Sequence, residues 1–185
     1  MRAALLFNGP PRSGKDTIGG ILAREIPGGR LCKLAYPIVA FLEREFDIKM
    51  AEVEKDEPHP LLLGRTPRDV AIRYSEGFCK PLWGQSFFGK AAVLALKKAD
   101  PDEVPIFTDS GFLAEVMEIL DAGFRCCQIV LHRPGTNFQN DSRGIWEHPQ
   151  IPQFQFFNDC IGVDNLIKKV RRDLLPRVLE WLEWS

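Results

Sequence analysis

The sequence predicts an α/β fold, a parallel sheet of five strands with helices on both faces. Three observations carry that reading. Short apolar runs alternate with segments of helical spacing along nearly the whole chain. The first run passes straight into a glycine-bearing turn that opens a helix. The chain has 185 residues, 45% of them hydrophobic, enough for one domain with a real core and short for two.

The strand candidates, in order, are Ala3 to Phe7, Leu31 to Ala35, Val104 to Thr108, Cys126 to Leu131 and Phe154 to Phe157. Helical spacing covers Asp16 to Glu25, Ile38 to Phe46, Arg68 to Lys80, Phe88 to Lys98, Phe112 to Ala122 and Val163 to Trp184. The stretch between the second and third strands is too long for one crossover helix, so a helical insertion over residues 37–100, placed to cover a substrate, is expected. Between the fourth and fifth strands, "HRPGTNFQNDSRGIWEHPQ" is polar and rich in turn residues, and reads as a mobile lid over residues 133–150. In the last helix Leu179, Trp181, Leu182 and Trp184 are expected to pack on the sheet, with a homodimer contact as the other use of that face.

Charge and composition narrow the function. The formal net charge is -1, from 24 basic and 25 acidic residues, which is not the one-signed surface of a non-specific nucleic-acid binder. No apolar run approaches the roughly 20 residues of a membrane span and no signal peptide is evident, so a soluble cytoplasmic protein without nucleic-acid or membrane partners is expected. Cys32, Cys79, Cys126, Cys127 and Cys160 contain no C-x-x-C pair and read as reduced thiols. His59, His132 and His148 have no metal-ligand spacing.

The chemistry begins at Gly9. Gly9 to Lys15 reads G-P-P-R-S-G-K, the G-x-x-x-x-G-K of a phosphate-binding loop (P-loop), with a strand before it and a helix after it. Such a loop curls backbone N–H groups around a phosphate at a helix N-terminus while its lysine reaches the β and γ phosphates. Gly9, Arg12, Ser13, Gly14 and Lys15 are therefore the expected nucleotide-binding residues. The position after the lysine, where a hydroxyl normally meets Mg²⁺, holds Asp16, followed by Thr17. Asp16 is suited to holding the ion or to capping the helix.

Other candidates follow from their placement. Asp109 closes the third strand, from which a carboxylate would face the ion or the acceptor. Arg133 and Arg143 bracket the lid and are suited to neutralising a transferred phosphoryl group. In the insertion, Arg68, Arg73 and Lys80 lie among Tyr74, Phe78 and Trp83; cations interleaved with rings suit a base-bearing monophosphate, and at helical spacing the same rings suit a core.

These residues resemble a family. "FNGPPRSGKDT" is similar to the opening of the deoxynucleoside monophosphate kinases of tailed bacteriophages, where G-K-D-T is usual. "TPRDVAIRYSEGFCKPLWGQSFFGKAA" resembles that family's Pro-Arg helix and aromatic turn over the acceptor, and "LHRPGTNFQNDSRGIWEH" its lid. "FFNDCIGVDNLIKKV" resembles the strand end near which the donor adenine lies, which adds Asn158 to the nucleotide-binding set. "FTDSGFLAEV" matches at Asp109, Phe112 and Glu115, but Gly111 stands where the family has arginine. The resemblance implies the adenylate-kinase-like three-layer P-loop fold. It also implies transfer of the γ-phosphoryl of ATP, with Mg²⁺, to a deoxynucleoside monophosphate held by Arg68, Arg73, Lys80 and Trp83, in the host cytoplasm if phage-encoded.

Three other readings stay open. One is a P-loop kinase for another small acceptor, such as dephospho-coenzyme A. Another is a nucleotide-operated switch or DNA-handling ATPase. The third, kept open by Gly111 in the place of the family's arginine, is a binding module that has lost catalysis.

Overall fold

Ala3–Asn8 is buried at every position and forms β1, the middle strand of the sheet. The computed structural model describes residues 2–139, 141 and 143–183. The other strands are β2 (Gly29–Cys32), β3 (Val104–Phe107), β4 (Arg125–His132) and β5 (Gln153–Phe157). All pairings are parallel and the order is β2-β3-β1-β4-β5, with Leu5 opposite Ile106 on one side and Cys127 on the other. The chain passes from β1 to the edge strand β2, returns to β3, and then crosses β1 to β4 and β5; because every pairing is parallel, the carboxyl ends of β1 and its neighbours form one rim.

Strand side chains alternate between faces, and each face builds its own core. Leu5 and Phe7 join Ile106, Cys127 and Ile129 against α1 (Lys15–Glu25), α7 (Val163–Lys169) and α8 (Leu175–Glu183). Leu6, Phe107 and Cys126 face α2 (Tyr36–Phe46), α5 (Phe87–Leu96) and α6 (Leu113–Asp121). Three layers result, and Leu179, Trp181 and Leu182 pack on the first of these cores as expected. Trp184 lies outside the described residues. The five cysteines carry no disulfide, and Cys79, Cys126 and Cys127 are buried. Among the described residues no helix is long and apolar enough to cross a membrane.

The structure departs from the expected elements in three places. The second strand begins earlier, at Gly29, because backbone pairing with Val104 recruits residues that show no apolar pattern, while Leu34 and Ala35 have already turned away. The helix expected over Arg68 to Lys80 is α3 (Pro67–Tyr74), a π turn (Ser75–Cys79) and α4 (Lys80–Trp83); a second π turn (Val170–Leu174) divides α7 from α8. Each π turn ends two residues before a proline, Pro81 and Pro176, whose ring and missing N–H disrupt the regular i to i−4 ladder. Third, the lid does not extend to residue 150: Trp146 and Ile151 are core residues, and the Trp146 indole N–H donates to Ser110 O at 2.8 Å.

Candidate functional site

The phosphate loop leaves the carboxyl end of β1 and returns as α1, and its shape depends on three left-handed or related residues. Gly9, Arg12 and Gly14 have φ of 150°, 63° and 100°. At Gly14, which caps α1, the conformation is one L side chains rarely adopt, and a Cβ would stand 2.6 Å from Asn158 Nδ2. A Cβ at Gly9 would lie 2.8 Å from Leu131 O. The loop thus touches the ends of both β4 and β5.

Asn158 explains this closeness and corrects its expected role. Its amide donates to Ser13 O at 2.9 Å, its backbone N–H to His132 O at 2.7 Å, and it is 3% exposed. It fastens the loop to the ends of β4 and β5. Ser13 is wholly buried within the loop, whereas Thr17 is exposed on the first turn of α1.

Lys15 Nζ donates to Gly9 O at 2.7 Å and Pro10 O at 2.6 Å, holding the loop's own carbonyls. Burial, then the nearby Arg143 charge, lower its pKa to about 8. The ammonium is a strong donor at the helix N-terminus, where the first N–H groups lack intrahelical partners, so an incoming phosphate would replace neutral carbonyl acceptors with anionic oxygens.

Asp16 sits in a three-membered cluster. Its Oδ1 accepts from the Thr108 hydroxyl at 2.5 Å and from Lys33 Nζ, and Lys33 also donates to Thr108 Oγ1 at 2.6 Å. Burial pushes the carboxyl up, but Lys33 and Thr108 outweigh it and hold Asp16 below the usual carboxylate range. Asp16 Oδ2 takes no hydrogen bond among the described residues. As a half-exposed hard oxygen donor beside a hydroxyl, Asp16 fits a magnesium ion.

Asp109 does not match its expected catalytic and metal-binding role. Its Oδ1 accepts from Leu34 N–H at 2.8 Å and its Oδ2 from Ala35 N–H at 2.9 Å. Both oxygens therefore secure the turn into α2, where backbone amides would otherwise lack acceptors.

Four arginines gather around the loop, each with a distinct tie. Arg133 Nη1 donates to Arg12 O at 3.0 Å, beside a cavity of about 460 Å³ lined by Pro10, His132, Arg133, Phe138 and Phe157 among others. The Arg12 side chain reaches Asp56 Oδ2 at 3.4 Å, and Arg68 binds both oxygens of the same carboxylate, Nε to Oδ1 at 2.5 Å and Nη2 to Oδ2 at 3.4 Å. This carboxylate links the donor loop to the first turn of α3. Arg143 is largely buried and forms a fork with Asp141, Nε to Oδ1 at 2.8 Å and Nη2 to Oδ2 at 2.5 Å.

The remaining acceptor candidates are arranged otherwise than expected. Arg73 pairs with Asp69 at 2.8 Å and, five residues on from Arg68, is turned about 140° around the helix, toward a groove between α2 and α3. Lys80 is 3% exposed: following the π turn, it points inward to Glu76 at 2.8 Å and lies 3.6 Å over the Phe112 ring. It is thus a core cation and not a surface phosphate ligand. Glu115 Oε1 lies 3.9 Å from it, and burial raises the Glu115 carboxyl to about 8 in spite of Lys80. Trp83 is half-exposed and stacks on Phe87 at 4.7 Å, part of a run of rings from Phe41 through Tyr74 and Phe78.

Sequence reasoning did not single out Lys33, Thr108, Asp56 or Asp141. Lys33 had a signal, a lysine interrupting the apolar run "LCKLA". Asp56, within the charge run "EKDE", had none that separates it from a solvated loop.

The chain matches no family model and no curated protein. Among solved structures it is similar to the Mycobacterium tuberculosis APS kinase CysC in complex with AMPPNP and APS, with 13% identity and a TM-score of 0.47 over 92% of this chain and 95% of that one. It is also similar to a protein from Chloroflexus aurantiacus whose kinase assignment is provisional, with 12% identity and a TM-score of 0.48 over 94% and 98% of the two chains. Neither is described as acting on a deoxynucleoside monophosphate, and the architecture rests on the strand order and loop geometry above. By those features the chain is an α/β protein of the three-layer P-loop fold.

Proposed function

We propose that the chain is a phosphotransferase that moves the γ-phosphoryl of ATP to a deoxynucleoside monophosphate, giving ADP and the diphosphate. The observation that carries this reading is the bridge Arg12–Asp56–Arg68, which brings a cation of the helical insertion to within one carboxylate of the donor loop. Phosphoryl transfer needs donor and acceptor phosphates in line and their charge neutralised, with little covalent help from the protein.

In this reading Gly9 to Gly14 and Lys15 hold the donor phosphates, and Arg133 sits over the loop beside the cavity suited to the rest of the nucleotide. Arg143 lies near the transferred group, where a buried guanidinium is worth more than in water. Arg68 takes the acceptor's phosphate, exchanging Asp56 for it. The half-exposed rings of Phe78 and Trp83 support a base-bearing acceptor, and the deoxyribose follows from the resemblance of the loop and insertion. Asp16 would hold a magnesium ion, whose charge would offset that of the phosphates.

ADP release from MgATP, measured against a panel of deoxynucleoside and ribonucleoside monophosphates, tests the proposal. Acceptor-dependent ADP with one or a few deoxynucleotides is the expected result. Silence across the panel with ATP bound would refute this acceptor class, and hydrolysis indifferent to any acceptor would favour a nucleotide-operated switch.

A further inference from the structure

The turn after β3 carries a glycine at position 111. Its backbone does not require glycine, since Gly111 is absent from the residues with positive φ. Space does require it. A Cβ at 111 would stand 2.2 Å from Arg143 Cδ, 2.7 Å from Cγ and 3.2 Å from Cβ, so the Arg143 methylene stem runs across the bare α-carbon.

The turn cannot easily yield. The Ser110 hydroxyl donates to Phe7 O at 2.8 Å, the Trp146 indole donates to Ser110 O at 2.8 Å, and Gly111 N–H donates to Asp109 O at 2.8 Å. The far end of Arg143 is fixed as well. Asp141 grips its guanidinium with both oxygens and also accepts the Arg143 backbone N–H at 3.0 Å. Asp141 and Arg143 side chains are only 11% and 26% exposed, whereas most ion pairs here are far more open, so this pair is well shielded from solvent.

We propose that Gly111 and Asp141 are positioning residues for Arg143: the absent side chain at 111 seats the arginine's stem, and Asp141 fixes its guanidinium by the Nε–Nη2 edge. The site cation is thus delivered by the segment after β4, in the space that a side chain on the turn after β3 would fill. One seat holds one arginine. This inference rests on the proposed transfer reaction for its kinetic readout, but not for its binding readout.

The test is a double-mutant cycle on the full chain with Gly111→Ala, Arg143→Ala and the two combined, together with Asp141→Asn alone and combined with Arg143→Ala. Each protein is assayed for acceptor-dependent kcat and KM, for MgATP affinity by calorimetry, and for thermal midpoint. Gly111→Ala is expected to lower kcat by about 10- to 100-fold through misplacement of the arginine, with a much smaller change in acceptor KM. In the Arg143→Ala background neither Gly111→Ala nor Asp141→Asn should cause a further loss. A Gly111→Ala protein with the original kcat, or losses that multiply with that of Arg143→Ala, would overturn the proposal. If Gly111→Ala alone fails to fold, removal of the stem in the double variant should restore the fold; equal destabilisation in both backgrounds overturns it. If the original protein turns over no acceptor, the proposed function fails by itself, and the same non-additivity in MgATP affinity decides the positioning role.

Discussion

Raising the pH from 7 to 9 should lower kcat/KM for ATP by about tenfold, because the phosphate-binding ammonium of Lys15 loses its proton there. Burial, with the Arg143 charge second, brings its pKa from 10.5 to about 8. At that value about nine-tenths of the lysine is protonated at pH 7 and about one-tenth at pH 9, whereas an ordinary lysine is still about 97% protonated at pH 9. The ratio kcat/KM reports the free enzyme, so the descending limb should have its midpoint near pH 8. Arg143→Ala removes one of the charges that depress Lys15, and should move the limb to higher pH. Initial rates of ADP formation from pH 6.5 to 10, at saturating acceptor and constant ionic strength, provide the assay. A profile flat to pH 10, or a limb unmoved by Arg143→Ala, would refute the reasoning. The stability effect has the opposite slope: between about pH 8 and 10.5 the folded chain binds fewer protons at Lys15 than the unfolded chain, so this residue makes stability rise with pH across that window.

Three further outcomes follow from the same structure. Lys15→Ala should abolish turnover while circular dichroism and thermal midpoint stay close to the original, since Lys15 Nζ donates to groups of the loop, Gly9 O, Pro10 O and Ser13 Oγ; a near-normal rate would defeat the site assignment. Glu115, whose carboxyl is raised from 4.5 to about 8, binds more protons in the folded chain, so stability should fall as pH rises from about 5 to 8, by at most about 1.4 kcal/mol per pH unit. Urea denaturation of Glu115→Gln should lack that decline, and an identical slope in both proteins would rule out Glu115 as its source. Arg68→Ala should raise the acceptor KM about tenfold or more with a much smaller change in MgATP affinity; an effect confined to ATP would remove Arg68 from the acceptor side.

The alternation of apolar runs and helical spacing defines the sheet and its two covering layers, and G-P-P-R-S-G-K marks the phosphate loop from sequence. These features are legible because they are local: strand burial, helix periodicity and a tight glycine turn depend on residues a few positions apart. Even so, local pattern could not foresee the two π turns, and the one before Pro81 carries Lys80 from an expected phosphate ligand into the core.

What the tertiary structure decided is which charges meet. Arg12 and Arg68 share Asp56 only because the insertion folds back over the loop, and Asp16 meets Lys33 and Thr108 only because β2 and β3 end beside α1. Asp109 and Asn158 are both placed at strand ends as the sequence indicates, but each spends its hydrogen bonds on neighbouring backbone. At Gly111 the sequence shows only a glycine, while the Arg143 stem lying across its α-carbon comes from a residue 32 positions away. Residue type and spacing determine an element and its chemistry; the partner of each charged group depends on strand order, helix rotation and backbone approach, which no local window contains.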